Sequence, residues 1–419
     1  MKNKIFYGWW IVLACFIISI YIGSCVFFGL TAFFEPLKEE FGWSHTQISF
    51  AASLRGLEMG ILAPLLGFLV DRFGARKLLF TGVLTVGIGL VMLSQAQSLF
   101  MFYGSYIVLG LGAGGCTTMT LMVVVASWFK KNIGKAMGIT ASGFGASGLF
   151  IPFIVRLIDV YQWRTALIIL GIGIWVLGIP LVLMVRNNPE DYGYQPDGLP
   201  PSPASGRTRE KDPDFSPTFK EVLHNRSFRY LNILDFTRMM TASAVILHVM
   251  PYLGGQGLSR TAAGYAAGAV PLISVIGRLG FGWLGDFIEK RLVMTASYGL
   301  MAIGMLIFCF VHQSWLIVVF LIFFSIGFGG SMVIRGAILR EYFGTHTLGK
   351  LLGIVLGSAA IGGIVGPTMA GWVYDTMHSY RPIWLAFFFV QLFSIGLSLK
   401  VKPLNRPCGP ELNVHRIDE

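Results

Sequence analysis

Charge is what this sequence has least of. Of 419 residues only 13% are Asp, Glu, Lys or Arg, about half the share of an ordinary soluble domain. Acids are scarcer than bases, 21 against 32, while 54% of the chain is hydrophobic. A water-soluble core could not hide that much apolar surface. A soluble enzyme and a disordered chain are therefore excluded, and a bilayer is implied. Cysteine is scarce too. Cys15, Cys25, Cys116, Cys309 and Cys408 are odd in number and poorly spaced, which argues against a disulfide framework or a zinc site. His45, His224, His312, His346, His378 and His415 scatter along the chain and give no catalytic or metal cluster. A polytopic membrane enzyme is thus disfavoured, and no cofactor is expected. A receptor is disfavoured as well, because no signalling domain is appended.

What is present is a series of long apolar runs. A membrane helix needs about 20 such residues. Twelve runs meet that need, at roughly 9–32, 47–70, 78–97, 100–128, 135–158, 165–185, 228–252, 262–284, 292–311, 314–339, 350–373 and 382–400. Strands of a membrane barrel would be about 10 residues long and alternate apolar with polar. Leu78 to Leu93 is apolar on every face, so the expected fold is all-α.

The basic residues fix an expected orientation. With the N-terminus in the cytoplasm, 23 of the 32 Lys and Arg fall in cytoplasmic segments and 5 (Lys38, Arg156, Arg164, Arg260, Arg381) fall outside. That bias follows the positive-inside rule and places both termini in the cytoplasm. The net charge of +11 is thus a topology signal. A nucleic-acid surface would need a solvated basic stripe with interleaved aromatics, and none is found.

The chain also repeats itself. Shifted by 215 residues, Gly42 and Ser44 fall on Gly257 and Ser259, Thr46 on Thr261, and Ala51 and Ala52 on Ala266 and Ala267. Pro36 meets Pro251, Asp71 meets Asp286, Gly134 and Lys135 meet Gly349 and Lys350, and Pro152 meets Pro367. One constant offset implies two parallel six-helix repeats, with a binding site near the midplane between them. The expected layout is a bundle over 1–186, a linker over 187–222, a second bundle over 223–403 and a cytoplasmic tail over 404–419. The linker is rich in Pro, Gly, Ser and charge, as at Pro200, Pro201, Ser202 and Pro203.

Gly67, Asp71, Arg72, Gly74, Arg76 and Lys77 close the loop after the second run. Their spacing resembles the loop signature of the major facilitator superfamily, G-x-x-x-D-R-x-G-x-[RK]-[RK]. The resemblance implies twelve membrane helices in two pseudo-symmetric halves. It also implies gating roles for Asp71, Arg72 and, in the second half, Asp286. A narrower likeness rests on Tyr7, Gly8, Trp9 and Trp10, on Phe41, Gly42, Trp43 and Ser44, and on Arg278. These look like the monocarboxylate transporter and oxalate/formate antiporter group. Against the animal monocarboxylate porters, Ser274 stands where an Asp precedes the Arg by one turn, and the first run carries no Lys.

Four cations remain inside the expected spans: Arg55, Arg238, Arg278 and Arg335, with only Glu58 and Asp235 as acids. Ionisable groups in a bilayer are costly and point to function. Arg278 lies 8 residues before Asp286, so about 12 Å into the membrane. Arg55 with Glu58, and Asp235 with Arg238, are i,i+3 neighbours. The first pair is expected to be a structural ion pair. Arg278 and Arg335 are left without a local partner, and an incoming anion can neutralise them; a guanidinium matches a carboxylate bidentately. Both are candidate substrate ligands. Tyr21, mid-span, is a third, with plain packing as the alternative.

Proton coupling needs a group that changes charge. Asp235 beside Arg238 is the candidate, and a permanent ion pair is the other reading. His248 is a possible relay, or a histidine bonded to backbone. Gly143, Gly145 and Gly148 match G-x-G-x-x-G but lie in a membrane run, where small residues serve close helix packing. Gly344 to Lys350 nearly matches a phosphate-binding loop but lacks its Ser/Thr and a preceding strand, so ATP-driven pumping is not expected.

The composite expectation is a monomeric secondary transporter of small mono- or dicarboxylates in a bacterial inner membrane. It would work by alternating access as a proton symporter. Anion antiport and efflux of larger metabolites or drugs are the alternatives.

Overall fold

The computed structural model describes residues 6–54, 69, 72–129, 132–187, 189, 192, 195, 219–311, 313–343 and 348–403. Among the described residues every regular element is helical. The helices follow from the solvent. In hydrocarbon each backbone N–H and C=O must be satisfied within its own segment. The outward faces are correspondingly greasy: Trp283 is 63% exposed and Leu279 69%. In water such a patch would invite association; in a bilayer it is the wetted surface.

The first half opens with α1 (Tyr7–Ile22), which runs through a π-helical turn (Gly23–Phe28) into α2 (Leu30–Phe41). The segment stops at Gly42, whose φ of 65° is the left-handed cap that donates its N–H to the Lys38 carbonyl. A helical stretch over 45–54 follows. Next come α3 (Ala75–Ser94), α4 (Leu99–Gly115) and α5 (Thr118–Trp128), then α6 (Ile133–Ala146) and α7 (Ile151–Met184). The second half holds α8 (Phe219–His224), α9 (Arg226–Gly255), α10 (Arg260–Phe287) and α11 (Lys290–Cys309). It closes with α12 (Ser314–Phe343), α13 (Leu348–Met377) and α14 (Arg381–Ser398).

Among the described residues ten segments are long and apolar enough to cross a membrane. One of them, Ile133–Met184, has 52 residues, about twice what one crossing needs. It breaks at Gln162, where φ is 65°, and so holds the two runs at 135–158 and 165–185. Most of the run at 47–70 lies outside the described residues, as do Arg55, Glu58, Gly67 and Asp71.

The 215-residue repeat survives in the helix ends. Shifted by that offset, Ala75–Ser94 becomes Lys290–Cys309, and Leu99 to Trp128 becomes Ser314–Phe343. The first half is the more broken copy. Its π-turn and the Cys116–Thr117 break fall where α9 and α12 run straight through. Arg238 stands at the place in the repeat held by Gly23, the first residue of the π-turn. The buried charge of the second half thus occupies the level at which the first half is irregular.

Small residues bring the halves together. A Cβ on Gly148 would stand 1.9 Å from the Gly268 carbonyl oxygen, and one on Gly145 2.2 Å from Val275. Within the second half, a Cβ on Gly362 or Gly366 of α13 would meet α9 backbone oxygens of Phe236 and Met240 at 2.2 and 2.0 Å. Backbone thus packs on backbone between the halves where the turn after α6 meets α10, and within the second half where α13 meets α9. Of the glycine series, Gly143 packs on Phe16 and Ser19 of α1, and Gly145 and Gly148 face α10.

Candidate functional site

The buried charges gather on the second half. Asp235 sits three turns into α9, a helix whose start is fixed by Asn225 accepting from the Ser227 N–H at 2.7 Å. One turn on, Arg238 Nε donates to Asp235 Oδ1 at 2.8 Å. From α12, Arg335 Nη1 donates to Asp235 Oδ2 at 2.6 Å. Arg335, which has no acid one turn away on its own helix, therefore finds one across the bundle. The Asp235 and Arg238 side chains are 3% and 4% exposed, and that of Arg335 12%.

The surroundings hold this cluster still. Tyr298 of α11 donates its hydroxyl to the Leu234 carbonyl at 2.9 Å. Thr237 bonds Ser394 at 2.8 Å, and Gln391 donates to Thr241 at 2.7 Å, which fastens α9 to α14. The Arg238 guanidinium lies over the Phe328 ring at 5.8 Å. Charges taken this far from water persist only when paired and hydrogen-bonded.

Among the described residues Arg278 has no acid partner. It lies on α10 at the seam, where Nη1 makes one long contact, 3.5 Å, to the Ala141 carbonyl of the first half. Its Nε and Nη2 are buried with no hydrogen-bond partner among the described residues, and the same holds for Arg335 Nε. Among these buried groups three guanidiniums, Arg238, Arg278 and Arg335, stand against one carboxylate, Asp235, and only Arg238 and Arg335 reach it. Three buried donors stand ready for acceptors. The planar donors of a guanidinium suit two acceptor oxygens of an anion.

The other residues singled out from the sequence lie elsewhere. Tyr21 spends its hydroxyl on the Leu170 carbonyl, 2.7 Å away within the first half. Arg72 is exposed and lies over the Phe73 ring at 5.5 Å. Asp286 is exposed near the end of α10. Arg55, Glu58 and Asp71 fall outside the described residues. His248 is fully buried toward the far end of α9, about 15 Å along the axis from Arg238.

The bonds of His248 define its tautomer. Its Nε2 is 3.0 Å from the Pro367 carbonyl and 3.1 Å from Ser49 Oγ. Ser49 already donates to the His45 carbonyl at 2.6 Å. Both contacts of Nε2 are therefore to acceptors, so Nε2 carries the hydrogen. Nδ1 accepts from the Tyr380 hydroxyl at 2.9 Å. His248 thus joins α9, α13 and α14 to the 45–54 stretch of the other half.

Sequence reasoning missed the groups that close this end of the bundle. Asp375 of α13 accepts from the His45 and Thr46 N–H groups at 2.9 and 2.8 Å and from the Thr46 hydroxyl at 2.6 Å. His45 Nδ1 is 3.3 Å from the same carboxylate. Burial, aided by Lys38, pushes the His45 imidazole down to about 4 against the pull of Asp375, so at neutral pH it is an uncharged donor. No periodicity marks these residues, because they lie at helix ends rather than in a charged stretch of a span. Among the described residues no group of His, Cys, Asp and Glu is arranged to hold a metal ion.

Comparison with known proteins gives a consistent result. The sequence profile described as Major Facilitator Superfamily matches residues 10–259 and 233–413. Monocarboxylate transporter 12 of Rattus norvegicus is 28% identical, over 97% of this chain and 88% of that protein. The uncharacterised MFS-type transporter YcxA of Bacillus subtilis is 24% identical, over 94% of each. Human monocarboxylate transporter 2 is 21% identical, over 90% of this chain and 82% of that protein. Among solved structures, a bacterial homologue of the human lysosomal transporter Spinster, in an inward-facing and unoccupied conformation, superposes with a TM-score of 0.66. It is 15% identical and covers 96% of this chain and 95% of its own.

Proposed function

The chain belongs to the major facilitator superfamily, and from that premise we propose that this membrane transporter carries small organic anions by alternating access. The observation that carries the reading is Arg278. Its guanidinium is buried at the seam of the two halves, with Nε and Nη2 unpartnered among the described residues. A carboxylate meeting those two nitrogens would form the bidentate pair for which the fork is shaped. It would also offset a buried charge that has no acid partner among the described residues. The likeness to proteins named monocarboxylate transporters supports the same solute class.

Alternating access follows from the position of the site. The bonds of Asp375, His248 and Ser53 tie the halves together at the end bearing the turns after Phe41 and Gly255. With both termini in the cytoplasm, as the basic residues indicate, that end faces outward, and the anion would be released inward. Asp235 is the proposed proton carrier. It sits between Arg238 and Arg335, and a proton on it would free Arg335 to engage substrate. The direct route is symport of a carboxylate with a proton, by a monomer in a bacterial inner membrane.

A second reading, anion exchange, is favoured by one feature. Arg335 Nε is also buried without a partner, so a dicarboxylate or two successive monoanions would find two guanidiniums. The deciding experiment is uptake of labelled mono- and dicarboxylates into proteoliposomes, with and without a pH gradient. Arg278→Ala is expected to abolish uptake while leaving inserted, monodisperse protein. Retained uptake would overturn the assignment.

A further inference from the structure

The two halves grip one another through a repeated device. The 215-residue offset that relates them carries His45 onto Arg260 and Thr46 onto Thr261. Each pair opens a helix: the 45–54 stretch in one half and α10 in the other. His45 and Thr46 reach Asp375 on α13 of the opposite half, with four polar contacts between 2.6 and 3.3 Å. Arg260 reaches back to Asp159 on α7 of the first half, Nε to Oδ1 at 2.9 Å, and Nη2 donates to the Ala32 carbonyl at 2.7 Å. Under the same offset Asp159 falls on Tyr374, one residue from Asp375.

The two contacts are alike in place and unequal in chemistry. Asp375 caps a helix N-terminus, where the backbone N–H groups and the dipole both favour a carboxylate. His45 beside it is 3% exposed, and the Phe34 and Tyr374 rings flank it at 5.0 and 4.1 Å. Arg260 and Asp159 are each 31% exposed, and the Arg260 Nε contact has the distance of an ion pair without the angle of a hydrogen bond. Water and salt screen such a pair.

We infer that Asp375 and Asp159 are symmetry-related latches that hold this face of the transporter shut, with Asp375 setting the opening equilibrium and Asp159 trimming it. A movement that parts the halves here must break both at once, because each latch joins the same two bodies. The inference rests on alternating access but on no particular substrate.

The test reads opening directly. Ser53 is buried at the seam, bonded to Thr368 Oγ1 and the Ile364 carbonyl. A Ser53→Cys reporter is placed in every variant, and its reaction with a membrane-impermeant maleimide is followed by peptide mass spectrometry in intact cells. Glu39→Cys, exposed at the same end, reports separately which side of the membrane that end faces. Labelling of Glu39→Cys with no labelling change at Ser53→Cys would refute the latches and leave orientation intact. Hydrogen bonds to a charged group suggest that Asp375→Asn speeds labelling about tenfold or more. Asp159→Asn is expected to speed it about twofold. Thr46→Val, which removes one bond from the opposite half, gives an intermediate rise and guards against a folding defect in Asp375→Asn. An unchanged rate in Asp375→Asn and Thr46→Val, or a larger effect from Asp159→Asn, would overturn the inference.

Discussion

Arg335 places Nη1 2.6 Å from Asp235 Oδ2 across two helices, while Arg238 holds Oδ1 from within the same helix. The carboxylate is shared, so its loss exposes two charges and the loss of Arg335 exposes none. Asp235→Ala should therefore cost about 3–5 kcal/mol of stability, the usual penalty for breaking a buried pair. Arg335→Gln leaves the Asp235–Arg238 pair whole and should cost less. The double substitution should recover part of the loss. Thermal unfolding of the detergent-solubilised protein checks the order, and equal costs for the two single variants would contradict the shared arrangement.

Much of this architecture was legible in the sequence because hydrocarbon leaves few options. Long apolar runs must be helices, and the offset that aligns Asp71 with Asp286 also aligns the ends of α3 and α11. The i,i+3 rule found Asp235 with Arg238. It could not find Arg335, because contacts between helices depend on rotation and tilt, which one-dimensional spacing does not encode. Tyr21 shows the same limit from the other side. A mid-span tyrosine has the right depth for a ligand, yet its hydroxyl is spent on the Leu170 carbonyl. Asp375 was missed because the donors it caps, His45 and Thr46, lie 330 and 329 residues away.

Coupling and binding separate at Asp235. Asp235→Asn keeps the size of the side chain and removes its ability to change charge. If the proton rides on this carboxylate, counterflow exchange of the labelled anion persists, while accumulation driven by an imposed pH gradient falls to the level without a gradient. Proteoliposomes loaded with unlabelled anion measure the first, and a pH jump measures the second. Accumulation that still follows the gradient would place the proton elsewhere, and exchange lost together with accumulation would assign Asp235 to binding.

The seam itself is the remaining constraint on movement. Gly148 and Gly268 face each other so closely that a methyl on either would stand 1.9 or 2.3 Å from the other's carbonyl oxygen. Backbone cannot yield as a flexible side chain does, so α10 must shift or the halves must part. Each half packs mostly against itself, so Gly148→Ala should leave folding largely intact. The substitution acts on the state in which the halves meet at this point, the state seen here. Transport requires that state once per cycle. Its destabilisation by about 1–3 kcal/mol, the usual cost of overpacking, should lower the steady-state rate about fivefold to a hundredfold wherever the state limits turnover. The same substitution should raise maleimide labelling of Ser53→Cys, because closure at the outer end and contact at Gly148 belong to one rigid-body position. A loss of transport with no rise in labelling would mean that the two contacts are made in different steps of the cycle.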